Sequence, residues 1–311
     1  MSASAATIAQ RANSLPHERL SPDRFEKLRC RRSRLVRQNH VVRGDARLFR
    51  SHRPEVHQTI VSGQGEIHLQ VTAERLVRRF GVSVTLQEPR IPYRETIRTR
   101  ADSRYRHKKQ TGGAGQFAEV WLRLEPRARD SGVEFVQSLV GNNVDRVFVR
   151  SVEKGVLTVC RKGILAGFRV VDVRADFYDG KMHPVDSKDI AFQVAGYHAF
   201  KEAFQEASPC LLEPINHVTV TAPEEYLGVV LGDLSARRGH ILGVDTDGQF
   251  QLVRAHVPQK ELYHYSTVVR SLTSGRGRHE ESFSHYAEPP PELAQRLLAE
   301  SKAQRNGQPE K

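Results

Sequence analysis

The run His107-Lys-Lys-Gln-Thr-Gly-Gly-Ala-Gly-Gln116 holds the densest chemistry in this 311-residue chain. Three cations, His107, Lys108 and Lys109, stand just before three glycines, and an apolar segment from Phe117 to Leu124 follows. The cations supply charge for a polyanion, and glycine lets backbone approach a phosphate or another backbone closely. Taken alone, the run predicts a basic turn entering a strand. His, Asp and Glu are plentiful elsewhere, but no spacing among them suggests a metal triad or a nucleophile with its base. Enzymatic chemistry is therefore not expected of this chain.

Two polar loops carry further candidates. Gly141-Asn-Asn-Val-Asp-Arg146 offers Asn142, Asn143 and Arg146, and Asp179-Gly-Lys-Met-His-Pro184 offers Lys181 and His183. Amides, a guanidinium, an ammonium and an imidazole all suit phosphates or base edges. Both loops are expected to join a strand to a helix, where a rigid scaffold presents contact residues. Loops are polar by default, so residue types alone favour the plainer reading of five solvated side chains.

The elements that must position these residues are legible from periodicity. Val56–Val61 alternates as a strand. Ile67, Val71, Leu76, Val77 and Phe80 recur at helical spacing over a helix from Glu66 to Phe80 that Gly81 ends. Val82–Leu86 reads as a second strand. Gly63-x-Gly65 lacks the third glycine and the Lys-Ser/Thr pair of a phosphate loop, and predicts a tight turn. Phe135–Val140 and Phe168–Phe177 read as strands. A helix with Val149, Val152, Val156, Val159 and Gly163 on one stripe lies between them. A long helix, apolar at Ile190, Val194, Phe200 and Phe204, runs to Ala207, with Asp186 or Ser187 as its cap. Strand Leu211–Thr221, a helix from Pro223 to Arg238, hairpin strands His240–Val244 and Phe250–Val257, helix Glu261–Leu272 and strand Glu280–Tyr286 then give the order β-α-β-β-α-β of a ferredoxin-like unit. Pro289-Pro-Pro291, a short helix and a polar tail from Ser301 close the chain.

Composition narrows the class. The net charge of +12 favours a polyanionic partner, usually nucleic acid. Thirteen Lys/Arg against four acids in residues 1–53 place +9 of that charge there and leave +3 for the rest. Residues 1–44 have little periodicity, and disorder or a poorly packed helix is expected. Three isolated cysteines make neither a disulfide framework nor a zinc spacing. No apolar run reaches the ~18 residues of a membrane span, and no secretory signal is present. A cytoplasmic setting without membrane attachment is expected.

Several blocks, in order, resemble translation elongation factor G. The run at His107 is similar to the entry to that family's domain IV. Thr59-Ile-Val-Ser-Gly-Gln-Gly-Glu-Ile-His-Leu69 looks like the turn and helix of domain III, and Pro92-Tyr-Arg-Glu-Thr-Ile97 like the link into domain IV. Ala166-Gly-Phe-Arg-Val-Val-Asp172, His183-Pro-Val-Asp-Ser-Lys-Asp-Ile-Ala-Phe192, Leu212-Glu-Pro-Ile215, Gly232-Asp-Leu-Ser-Ala-Arg-Arg-Gly239 and Arg270-Ser-Leu-Thr-Ser-Gly-Arg276 follow. Some details, such as Gly141-Asn-Asn143, look closer to an elongation-factor-G-like paralogue. The resemblance covers roughly residues 45–288.

What the resemblance implies is an α+β chain: a basic N-terminal segment, 1–44; a partial, ferredoxin-like domain III, 45–98; a βαβ-type domain IV, 99–211; a ferredoxin-like domain V, 212–288; and a tail, 289–311. In the family, domain IV mimics the tRNA anticodon arm in the decoding region of the small ribosomal subunit. Domain V contacts the stalk base and large-subunit RNA. By position, the domain IV tip loops are Gly141–Arg146 and Asp179–Val185, so Asn142, Asn143, Arg146, Lys181 and His183 are the expected ribosome or RNA contacts, with His107, Lys108 and Lys109 as a basic turn. Ala114 and Ala118 stand where the family usually has Arg and Gly, and Arg150 replaces a usual proline. Full-length relatives are GTPases, but no Gly-x4-Gly-Lys-Ser/Thr occurs here. No cofactor is therefore expected in this chain, with a GTPase supplied in trans as one option. The leading expectation is a ribosome-binding factor without its own GTPase. A non-functional remnant of a longer gene, a generic RNA-binding module and a ribosome-protection factor remain alternatives.

Overall fold

In the computed structural model, residues 4–9, 49–53, 58–63, 66–80, 85–110 and 115–306 are described. The chain divides into two units, Met1–Ile91 with Ile215–Ser284, and Pro92–Pro214 with His285–Lys311.

The N-terminal sheet has four strands: β1 (Ser4–Ala9), β2 (Phe49–Arg53), β3 (Gln58–Gly63) and β4 (Thr85–Gln87), with helix α1 (Glu66–Phe80) between the last two. Their order is β2-β3-β1-β4, with β1 antiparallel to both neighbours through Ala6↔Val61 and Ile8↔Leu86. A ferredoxin-like unit uses the same order, its first strand lying between the third and fourth. This corrects two expectations. Ser4–Ala9 is a strand rather than part of a disordered segment, and the sheet is four-stranded rather than a two-stranded remnant. Ala5-Ala-Thr-Ile8 carries no alternation of its own; it becomes a strand because partners more than 50 residues away hold it. The rest of the basic segment lies outside the described residues, as do Gly65, Gly81 and residues 82–84. The buried face of α1 is Leu69, Thr72 and Leu76, whereas Ile67, Val71 and Val77 are exposed. Of the expected stripe, Leu76 therefore holds an inner position while Ile67, Val71 and Val77 do not.

The segment expected as domain IV holds a second sheet, β6 (Ala101–Lys109), β7 (Gln116–Pro126), β8 (Val133–Gln137) and β9 (Val173–Lys181), in the order β6-β7-β9-β8. Pairing is antiparallel except between β8 and β9, which are parallel. Parallel neighbours need a crossover, and α2 (Val149–Lys162) supplies it; α3 (Asp189–Glu206) follows β9. One face of β7, Ala118, Val120, Leu122 and Leu124, shares a core with Val152, Val156 and Val159 of α2 and with Phe192, Phe200 and Phe204 of α3. The helices cross closely at Gly155 and Gly196, where an added Cβ would strike the Gln193 carbonyl and Val152. The α3 stripe differs from expectation: Ile190 is exposed, and alanines 191, 195, 199 and 203 take the inner positions. The expected strand Phe168–Phe177 begins only at Val173. The expected basic turn also begins later, since His107, Lys108 and Lys109 are the last residues of β6.

The cause of the late start of β9 is Glu95, on β5 (Arg94–Ile97). Its buried carboxylate accepts five backbone N–H groups, from Ile164 (2.6 Å) and Leu165 (2.9 Å) at one oxygen and from Ala166, Gly167 and Phe168 (2.8–2.9 Å) at the other. The α2–β9 connection is thereby wrapped around one side chain.

The long strand β10 (Pro209–Pro223) pairs by its first residues with β5 and by its later ones with β12 (Phe250–Pro258). With β11 (His240–Asp247), β13 (Arg278–Ala287), α4 (Leu227–Ala236) and α5 (Tyr265–Leu272) it forms the ferredoxin-like order β11-β12-β10-β13. Val218, Val220, Val253 and Val257 pack there against Val230, Leu234 and Val269. The expected helix Glu261–Leu272 is broken at His264, whose φ is 57°. A last helix, α6 (Pro291–Asn306), continues through Ser301, where a polar tail was expected.

Glu95→Ala is expected to leave five amides without an acceptor and to cost ~3 kcal/mol or more. Thermal unfolding followed by Trp121 fluorescence reads this directly. A melting point within a degree or two of the parent would show that the nest contributes little.

Candidate functional site

The two polar loops leave the domain IV sheet at the same end. One follows β8 and leads into α2; the other follows β9 and leads into α3. They are interlocked. Asn143 Nδ2 donates to Asp179 Oδ1 (3.2 Å), which also accepts the Gly180 N–H (2.7 Å). The Asp145 N–H contacts Met182 Sδ at 3.4 Å. Val144 is buried between them and packs beside Gly180. Asp145 caps the single helical turn Arg146–Phe148 by accepting the Val147 N–H at 3.1 Å. The polar side chains thus sit on a backbone fixed from below.

His183 organises the second loop from within. Its Nδ1 accepts the N–H groups of Val185 (3.3 Å) and Asp186 (3.2 Å). Its own N–H donates to Ser187 Oγ (2.8 Å), and Ser187 Oγ donates to the Phe117 carbonyl (2.8 Å). An Nδ1 that accepts twice carries no proton, so the imidazole hydrogen belongs on Nε2. Asp186 Oδ2 lies 3.5 Å from Nδ1, and with Nδ1 acting as acceptor this is proximity rather than an ion pair. The side chain is 51% exposed, leaving Nε2–H as an outward donor. Ser187 and Asp186 do not cap α3 as expected; Lys188 holds that position without a side-chain bond.

The β6–β7 hairpin meets the same end. The Phe117 N–H donates to the Asp186 carbonyl (3.0 Å), and the Phe117 ring meets His183 edge-on at 6.4 Å. Gly115 lies against the Asp186 carboxylate, where a Cβ would sit 2.7 Å from Oδ1 and push that side chain aside. His107 is turned inward and shares a 3.1 Å hydrogen bond with Gln116 Oε1, whereas Lys108 and Lys109 are exposed. Residues 111–114, including Ala114, lie outside the described residues. Asn142, Asn143, Arg146, Lys181 and His183 are all exposed or half-exposed at this one end, and His107 is the expected site residue that faces inward.

Sequence reasoning missed the supporting residues Asp145 and Met182 and read Ser187 only as a helix cap; the ties Asp145–Met182 and Ser187–Phe117 span 37 and 70 positions. It also missed a cluster on the sheet face turned away from α2 and α3. There Glu119 Oε1 accepts from Arg104 Nε (2.7 Å) and Trp121 Nε1 (2.9 Å), and Oε2 from Arg106 Nε (2.6 Å). Burial alone would push the Glu119 carboxyl up, but hydrogen bonds from Trp121, Arg106 and Arg104 together hold it below the usual carboxylate range. The available signal was the alternation Arg104-x-Arg106-x-Lys108, which puts all three cations on one strand face.

Burial pushes the Cys160 thiol up to about 12 and the Cys210 thiol up to about 11, so neither is a thiolate at neutral pH. Among the described residues no group of His, Cys, Asp or Glu is arranged to hold a metal ion, and no helix is long and apolar enough to cross a membrane.

Comparisons with known proteins agree with this architecture. Family models for elongation factor G domain III, elongation factor G domain IV and the elongation factor G C-terminus match residues 38–88, 89–208 and 210–297. Elongation factor G of Aquifex pyrophilus is 46% identical over 250 residues, and an elongation factor G-like protein of Thermotoga maritima is 46% identical over 248. These alignments cover 80% and 79% of this chain but only 36% of each relative, so the chain spans little more than a third of their length. A crystal structure from Thermus thermophilus superposes with a TM-score of 0.82 at 38% identity, over 96% of this chain and 43% of that one. Matching models in sequence order, and a fold shared along nearly the whole chain, place this protein in the elongation factor G family, over the stretch of domains III, IV and the C-terminus.

Proposed function

We propose that the chain is a ribosome-binding, elongation factor G-like translation factor whose domain IV tip is its RNA-contacting end. The observation that carries this reading is the convergence of two interlocked loops at one end of a rigid sheet. They present Asn142, Asn143, Arg146, Lys181 and the Nε2–H of His183 together. Amide, guanidinium, ammonium and imidazole donors on a fixed backbone suit phosphate oxygens and base edges. Their partner is the decoding region of the small subunit, and the C-terminal ferredoxin-like domain meets large-subunit RNA and the stalk base. The setting is cytoplasmic. The 311 residues contain no Gly-x4-Gly-Lys-Ser/Thr, so in this reading the chain does not itself hydrolyse GTP, and any GTPase acts from outside it.

The chain is expected to pellet with ribosomes at low salt and to be released as salt rises. The expected log–log slope is roughly −0.7 to −0.9 per phosphate contact. Failure to pellet at about 50 mM salt would sink the proposal.

Tip variants separate contact from scaffold. Lys181→Ala combined with His183→Asn should change stability by less than about 0.5 kcal/mol, because the Asn oxygen can accept the Val185 and Asp186 N–H groups. Ribosome affinity should nevertheless fall several-fold. His183→Ala removes that acceptor as well and should loosen the loop, seen as faster amide exchange at residues 185–187. Unchanged affinity of the double variant would return both residues to the scaffold.

Titration with a fluorescent GTP analogue is expected to show no saturable binding, since the 311 residues hold no Gly-x4-Gly-Lys-Ser/Thr loop to cradle the β- and γ-phosphates. Micromolar affinity would overturn this.

A further inference from the structure

The helix-free face of the domain IV sheet is polarised. On its half away from the tip, cations and carboxylates balance: Arg123 pairs with Asp102 (2.9 Å) and Arg100 with Glu125 (3.6 Å), Arg127 and Arg174 share Glu134 (3.5 and 3.9 Å), and Asp176 stands opposite Arg123 in register. On the tip-ward half the cross-strand rows are Arg104·Trp121·Asp179 and Arg106·Glu119·Lys181, with Lys108 beyond them. Four cations there face two carboxylates, and one of these, Glu119, is wholly enclosed at 0% exposure. The excess positive charge is therefore at the surface.

The cations at the centre are also held in a defined shape. Glu119 binds both guanidiniums through their Nε atoms, which leaves the terminal nitrogens outward on side chains 49% and 54% exposed. The Arg104 guanidinium lies 4.6 Å over the Trp121 ring, and Trp121 meets Tyr178 edge-on at 6.0 Å. A guanidinium stacked on an indole presents a flat π-like surface edged by N–H donors. Because Glu119 has already ordered it, little side-chain entropy remains to be lost on binding.

We propose that this tip-ward half of the domain IV sheet is a docking surface for unpaired RNA. Bases stack on the Arg104–Trp121 layer, and phosphates meet Arg106, Lys108 and Lys181. Flat aromatic and guanidinium surfaces bordered by cations are how proteins hold single strands without reading their sequence. An acidic peptide would use the charge but leave the stacking layer unused. Glu119 is then a positioning residue. The surface goes beyond the tip loops and involves none of the tip contact residues except Lys181.

Trp121 is the only tryptophan in the chain, so its emission reports this face alone. The purified chain is titrated at low salt with a twelve-nucleotide oligouridylate, with polyphosphate and with polyglutamate. Saturable quenching by the RNA, and none by polyphosphate or polyglutamate, is the expected result. Arg104→Gln with Arg106→Gln should weaken the RNA at least ~10-fold and reduce the salt slope by roughly 1.4. Arg100→Gln with Arg123→Gln should change affinity less than about 2-fold, their charges being already matched. Glu119→Gln is decisive. It raises the net charge by one, so attraction alone would tighten binding; release of the two guanidiniums should instead weaken it. Circular dichroism checks the fold of each variant, and the wild-type quench decides even if one fails to fold. RNA binding detected by anisotropy with Trp121 unchanged, equal quenching by polyglutamate, or tighter binding by Glu119→Gln would each overturn the proposal. The titration contains no ribosomes. A chain that binds the oligonucleotide but does not pellet upholds this surface and sinks the ribosome reading, and the converse result does the opposite.

Discussion

A single carboxylate shapes domain IV. Glu95 is fully buried, and an ionised group removed from water needs full replacement of its hydration. Five consecutive amides, from Ile164 to Phe168, provide it. These amides lie where α2 has ended and β9 has not begun, so without the carboxylate they would be orphaned donors. The clamp extends along the backbone: Glu95 N–H donates to the Arg169 carbonyl (3.0 Å), and Val171 N–H to the Glu95 carbonyl (2.9 Å). Charge and amides each satisfy a need that the other creates. The end of α2 and the start of β9 are therefore located together, and each of these elements borders one of the tip loops.

From that anchor the tip inherits its rigidity. β9 runs from the nest to Lys181, and α2 runs from the first tip loop back to the nest. The loops then need only short-range ties, Asn143 to Asp179 and His183 to the amides that follow it. His183 shows how one side chain serves two roles. Its Nδ1 belongs to the scaffold and its Nε2–H to whatever lies outside. A flexible loop with the same residues would lose more entropy in holding an RNA and would hold it less tightly.

Glu119, also fully buried, solves the same physical problem differently. Its partners are side chains rather than backbone, and two of them carry charge. A backbone nest fixes a chain path, whereas a guanidinium pair fixes a surface. The two carboxylates thus divide the domain between architecture and presentation.

Much of this protein was legible in its sequence. The β-α-β-β-α-β order of the C-terminal domain, the stripe Val152, Val156 and Val159 on α2, and the two polar loops followed from periodicity and turn residues. Local patterns suffice where an element's inner face is written in its own spacing. They failed where the deciding partner is remote. Ser4–Ala9 is a strand because β3 and β4 flank it. On α1, Leu69 and Thr72 join the expected Leu76 on the inner face, while Ile67, Val71 and Val77 face out. Ser187 ties a loop to Phe117 instead of capping a helix. Residue type and position in the family pattern together named His183, Lys181 and Arg146 as candidates, but not which imidazole nitrogen faces outward or that Glu119 binds Arg104 and Arg106 beside Trp121. Hydrogen-bond direction and the company of a buried charge depend on atoms brought together from distant positions, and only the folded chain supplies them.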